Sequence, residues 1–234
     1  MKKHNLRKAL KHRLRKWNIG DYVRQFSIVT GGVLLTLWLS SLITTASKQR
    51  EVSQAMQLIT LELRANAEII RDYEWLYNEE KRIAQQLLRR DFSVAGLPAD
   101  TVGLYWQRMS NGMGKPYRFQ TDALEMFKTT GLAAEIADKR IVIDLLRSYN
   151  ELEIFDYAMG LYYEQRSKTL VPLQMADKQT ISERDVVTNF SKMLSDKSMQ
   201  GWIGAIPRAY DTKYFDRSAR KIEQMISELE KRYR

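Results

Sequence analysis

Residues 27–46 read SIVTGGVLLTLWLSSLITTA, twenty positions without a charge. As a helix rising about 1.5 Å per residue, this stretch is long enough to cross a hydrocarbon layer of about 30 Å. It divides the chain. The N-terminal side is short and basic, and the C-terminal side is long, mixed in charge and patterned for helices. The sequence predicts an all-α protein: a single N-terminal transmembrane helix that continues into a long stalk helix, and then an antiparallel helical bundle.

The formal charge of +10 is unevenly spread. Residues 1–46 carry nine Lys/Arg against Asp21 alone, whereas the remaining 188 positions carry 29 Lys/Arg against 27 Asp/Glu. The excess therefore lies beside the apolar run, where short basic flanks are held in the cytoplasm. The expected topology has residues 1–26 in the cytoplasm, 27–46 in a bacterial inner membrane, and 47–234 beyond it, in the periplasm of a Gram-negative cell. Thr44-Thr45-Ala46 is a weak match to a signal-peptide cleavage site. The 26 residues before the run exceed an ordinary n-region, so an uncut anchor is expected.

Within the tail, Leu6, Leu10, Leu14 and Trp17 recur at helical spacing, with Lys8, Lys11, Arg13, Arg15 and Lys16 on the other faces. That is the pattern of a basic amphipathic helix lying on anionic lipid. A disordered basic tail would satisfy the same topology rule. No nucleic-acid-binding motif accompanies the charge, and nucleic acid is not an expected partner. Along the apolar run, Gly32, Thr36, Ser40 and Thr44 share one face, where small residues let helices approach. A second copy or a partner membrane protein is the expected neighbour.

Chemistry is constrained by the residue types the chain lacks. It has no cysteine, and its two histidines, His4 and His12, both lie in the tail. Disulfides, thiolate nucleophiles and Cys-based metal sites are excluded, and the body lacks the commonest general base. Its many Asp and Glu show no pair set apart by apolar surroundings and read as solvated helix faces. Neither an enzyme nor a cofactor is expected.

From 47 to 90 there is no Gly or Pro. Met56, Ile59, Leu63, Asn66 and Ile70 keep an alternating four-three spacing that continues through Tyr73, Tyr77 and Glu80, the one charge on the seam. Ile69, Leu76 and Ile83 widen the stripe, which marks a helix with a bundle packed on it. Asn66 on the seam either sets register with a neighbour or is a satisfied polar group of the core. Residues 91–120 are rich in Gly and Pro, and Asn111-Gly-Met-Gly-Lys115-Pro lacks the spacing of a phosphate loop. The aromatic residues Tyr105, Trp106, Tyr117 and Phe119 in this segment either touch a ligand or partner, or pack on the bundle.

The bundle is expected over 121–234. Thr121 caps a helix to Thr130 that Gly131 ends, and a short turn, 132–137, comes next. Asp138 caps a long helix to about Lys168, with Pro172 as its stop. Thr180 and Glu183 form a capping box for a helix through Asp196. Gly201, Gly204 and Pro207 break or kink the chain. Phe215, Ala219, Ile222, Ile226, Leu229 and Tyr233 form a terminal seam, expected to lie antiparallel on the stalk.

The stretch Phe119-Gln-Thr-Asp-Ala-Leu-Glu-Met-Phe-Lys-Thr-Thr-Gly131, with LAAEIADKRIVIDLLRSYN (132–150) after it, resembles an uncharacterised family of single-pass membrane proteins of the Bacteroidetes group. Thr130-Gly131, Ile136, Leu146-Arg147 and Tyr149-Asn150 carry the resemblance, and the anchor, stalk and terminal helix also look similar. It implies a bacterial inner membrane and a helical periplasmic body, and no activity. Two functions are compatible with these features: a membrane-anchored, non-enzymatic scaffold or envelope-complex subunit, and a ligand-sensing bundle that signals through a partner protein.

Overall fold

The structure is a computed structural model that describes residues 19–110, 115–177, 186–211 and 213–233. Every element of regular structure among them is helical. Helix α1 (Ile19–Leu87) is uninterrupted, as its lack of Pro allows, and stops three residues short of the expected Arg90. The chain forms two compact units, one up to Glu51 and one from Val52.

In the first unit, the side chains of 24–50 are exposed apart from half-buried Thr30, including Leu34, Leu37 and Trp38 at about 60%. α1 is the one helix among the described residues long and apolar enough to cross a membrane.

The second unit is a bundle built on residues 52–87 of α1. After α1 come α2 (Ala99–Ser110), α3 (Asp122–Thr129), α4 (Lys139–Asp177), α5 (Val186–Ser195), α6 (Lys197–Ala209) and α7 (Tyr214–Tyr233). The three longest helices of the bundle, α1, α4 and α7, run alongside one another, and α2, α3, α5 and α6 add buried side chains to the same core. Gln57 donates to the Tyr233 carbonyl at 3.1 Å, Arg64 pairs with Glu230, Arg71 with Glu223, and the rings of Tyr77 and Phe215 lie 5.3 Å apart. Numbers rise on α1 as they fall on α7, so the terminal helix is antiparallel to α1. By contrast, α4 runs the same way as α1. Glu62 meets Tyr149, Tyr73 lies 5.8 Å from Phe155, and Glu80 meets Arg166. Residues 88–138 make this parallel pairing possible by carrying the chain back along the bundle.

Local signals set most boundaries. Gly131 is the one described residue with positive φ, +71°, and ends α3 in the left-handed region that a side chain disfavours. Asp138 caps α4 by accepting from Arg140 N–H at 3.1 Å, and Asp196 caps α6 by accepting from Ser198 and Met199 N–H at 2.8 and 3.1 Å.

The expected stop at Pro172 is overturned, and so is the break, though not the kink, expected at Gly201–Pro207. Pro172 does not stop α4, which continues to Asp177 because Leu170 is buried and Leu173 packs on the core, outweighing the hydrogen bond that proline removes. Gly201, Gly204 and Pro207 do not break the chain either. All three lie inside α6, where Met199, Trp202, Ile203 and Ile206 are buried, and tertiary burial overrides weak helix propensity. The smaller corrections are that Thr121 makes no side-chain cap and that the turn after Gly131 is a single 3₁₀ turn, Leu132–Glu135. The expected capping box at Thr180 and Glu183, and residues 111–114 of the Gly- and Pro-rich segment, lie outside the described residues.

Candidate functional site

Three polar joints tie the bundle together, each placing a polar side chain of α1 in the interior. Burying such groups is costly unless they are fully partnered.

The first is Glu62, 7% exposed. Its carboxylate accepts from Ala123 N–H at 2.7 Å and from the Tyr149 hydroxyl, with a longer contact from Leu124 N–H at 3.4 Å. These are the first amides of α3, which its own Thr121 leaves uncapped. A charge on α1 therefore caps α3 and also complements the positive end of its dipole.

The second is Asn66, fully buried. Its amide nitrogen donates to the Gln120 carbonyl and its oxygen accepts from Gln120 N–H, both at 2.8 Å. Tyr73 donates to the Tyr117 carbonyl at 3.0 Å, and Lys115 pairs with Asp156. The non-helical run 115–121 is thus fastened to α1 and α4. Asn66 serves as a satisfied core group.

The third is the ion pair of Glu80 with Arg166 at 2.8 Å, with side chains 7% and 5% exposed. Tyr162 donates to the other Glu80 oxygen at 2.7 Å, and Arg166 donates to the Arg108 carbonyl in the last turn of α2 at 2.7 Å. One network joins α1, α2 and α4. Burial pushes the Glu80 carboxyl upward, against the opposing pull of Arg166 and of the Tyr162 hydroxyl.

Around these joints the core is aromatic. Phe155 contacts Tyr73, Phe119, Tyr214 and Phe215, and Tyr162 contacts Tyr77, Tyr163, Trp202 and Tyr210. Burial raises the Tyr73 hydroxyl to about 12, and raises Tyr149, Tyr162 and Tyr163 as well, the first two also through hydrogen bonds to Glu62 and Glu80. The folded state therefore favours the neutral phenols. Their contribution is complete below the ordinary tyrosine value of about 10 and is lost as pH climbs beyond it. An alkaline titration monitored by circular dichroism and tyrosinate absorbance should show helix loss and ionisation of the buried tyrosines in one cooperative step above about pH 10. Independent ionisation with the helices intact would contradict this.

The residues singled out in the sequence divide between the two units. Leu6, Leu10, Leu14, Trp17 and the five tail cations lie outside the described residues. Gly32, Thr36, Ser40 and Thr44 are exposed on α1, and the hydroxyls of Thr36 and Thr44 donate back to the carbonyls of Gly32 and Ser40 at 2.8 Å. Met56, Ile59, Leu63, Asn66 and Ile70 are buried in the bundle. Tyr105 is buried and donates to Gln86, Trp106 meets Phe190 edge-on at 6.2 Å, and Tyr117 and Phe119 are half-buried against Tyr73 and Phe155. These four pack within the body, Tyr117 and Phe119 both on the Tyr73–Phe155 pair.

Periodicity alone misses Arg166. Its signal is the buried spacing Met159, Tyr162, Arg166, Leu170, complete once the helix is carried two residues beyond Lys168. Among the described residues no group of His, Cys, Asp and Glu gathers to hold a metal ion. A groove of about 700 Å³ runs between α1 and α7, with Thr60 and Leu229 in its floor and Arg64, Glu230 and Lys231 along its rim. No protein-family model, curated protein or solved structure matches this chain.

Proposed function

We propose that this protein is a membrane-anchored, non-enzymatic helical scaffold, or a subunit of an envelope complex, that works through helix–helix contacts. The tail lies on the cytoplasmic leaflet of a bacterial inner membrane and the bundle lies in the periplasm. One observation carries the reading: a single helix, α1, holds both an exposed, charge-free apolar stretch and the buried seam around which the body is built. The distribution of Lys and Arg supports the orientation, and the resemblance to the Bacteroidetes family supports the compartment. The absence of cysteine anywhere, and of histidine from the body, supports a role by contact.

The test is chemical cross-linking of the full chain in intact membranes, with mass spectrometry of the adducts. The expected result is a discrete species heavier than the monomer, either a self-adduct or an adduct with one recurrent membrane protein. Monomer alone, at several cross-linker lengths, would contradict the reading.

A further inference from the structure

A trough follows the line where α1 and α7 meet solvent. The groove of about 700 Å³ and a second hollow of about 370 Å³ share Arg64 and Glu230. Their floor is apolar, with Ala67, Ile226 and Leu229 buried, and Leu61 stands in the larger groove 61% exposed.

Two ion pairs cross the trough one heptad apart, Arg64 with Glu230 and Arg71 with Glu223. At both levels the cation belongs to α1 and the anion to α7. In each pair the guanidinium donates to one carboxylate oxygen, and the four side chains remain 40–58% exposed. Each carboxylate therefore keeps a second oxygen, and each guanidinium further N–H groups, for another partner.

This patch complements itself. A two-fold axis parallel to α1 and facing the trough lays α1 of each copy on α7 of the other, with every residue kept at its own height. Arg64 then meets Glu230 of the second copy as well as its own, and Arg71 meets Glu223 likewise. Each level closes into a ring in which two cations and two anions alternate. A two-fold contact uses one patch twice, which succeeds here because the basic lip and the acidic lip exchange places. The four helices run alternately up and down, each antiparallel to both neighbours, as in an up-and-down four-helix bundle. Leu61 of each copy reaches into the groove of the other. Both chains run the same way along the axis, as two copies anchored in one membrane must. Their shared anchorage raises the local concentration, so that half-exposed charges of individually small worth suffice.

We propose that two copies of this chain associate side by side through the α1–α7 trough, with Arg64 and Arg71 of each on Glu230 and Glu223 of the other. This rests on the reading that the protein works by helix–helix contact, and it names the surface and the occupant.

The test uses the full chain in membranes, where an introduced cysteine is unique. Differently tagged Glu68→Cys and Ser227→Cys chains, whose cysteines line the smaller hollow, are co-expressed and oxidised. They should form a mixed adduct, whereas an Ile154→Cys chain, with its cysteine exposed on α4, should form none. When both cysteine chains also carry Arg64→Glu/Arg71→Glu, or both carry Glu223→Arg/Glu230→Arg, the yield should fall several-fold. When one carries the first pair and the other the second, it should recover, because opposite charges then meet only between copies. Leu61→Asp should lower the yield several-fold and leave the thermal melt unchanged. Undiminished yield with like-reversed chains or with Leu61→Asp, or no recovery in the mixture of folded chains, overturns the proposal. Adducts through Ile154→Cys with a silent trough overturn this surface alone. A chain that gives no adduct of any kind in membranes overturns the contact reading with it.

Discussion

Replacing Arg166 by methionine is expected to destabilise the helical body by about 3–5 kcal/mol, the scale for stripping one partner from a buried ion pair. The loss removes the cation that opposes the upward push of burial on Glu80, so its carboxyl must be buried unpaired or take up a proton, and it leaves the Arg108 carbonyl without its donor. Against a typical total of about 5–15 kcal/mol, that is a large fraction of the stability of a domain. The paired replacement Glu80→Leu/Arg166→Met should recover most of it, because apolar side chains of similar volume carry no desolvation cost. Recovery stays incomplete, since the Tyr162 hydroxyl still lacks its acceptor. Urea unfolding monitored by circular dichroism measures both. A double variant as unstable as the single one would mean that the network holds the bundle by something other than charge pairing.

Phe155→Ala is expected to cost about 3–5 kcal/mol in the same assay, the range for deleting a buried aromatic ring. Phe155 is 1% exposed, and its ring meets α1 at Tyr73, the 115–121 run at Phe119, and α7 at Tyr214 and Phe215. Removing it opens a cavity at a point where three segments converge on α4. Phe155→Leu keeps most of the volume and should cost under about 1.5 kcal/mol. Equal losses for the two variants would point to a specific ring interaction rather than to filled space.

The sequence carries the architecture wherever periodicity alone decides it. Ile59, Leu63 and Ile70 on α1, and Ile222, Ile226 and Leu229 on α7, fall on narrow stripes, and those stripes are the faces that meet. The long helix after Asp138 is equally plain. Periodicity does not show how the connection between 88 and 138 returns the chain so that α4 runs parallel to α1. That depends on contacts far apart in sequence, such as Asn66 with Gln120 and Glu62 with the amides of α3. Glu62 sits beside the seam with nothing local to mark it as the cap of another helix. Proline and glycine mislead in the same way twice. Pro172 and the Gly201–Pro207 region look like breaks by propensity, and the burial of Leu170, Trp202 and Ile206 outweighs it. The aromatics of 91–120 have the composition of a binding loop, but the structure packs them within the body.

In the proposed topology residues 27–46 remain in the chain as a membrane anchor, with the body beyond the bilayer. Its most direct test is a dual reporter fused after Arg234 in a Gram-negative host, read together with the N-terminal sequence of the mature protein. Alkaline phosphatase activity, no cytoplasmic fluorescence, and an intact tail beginning near Met1 are expected. A fluorescent cytoplasmic reporter, or a mature chain that starts near Ser47, would contradict it.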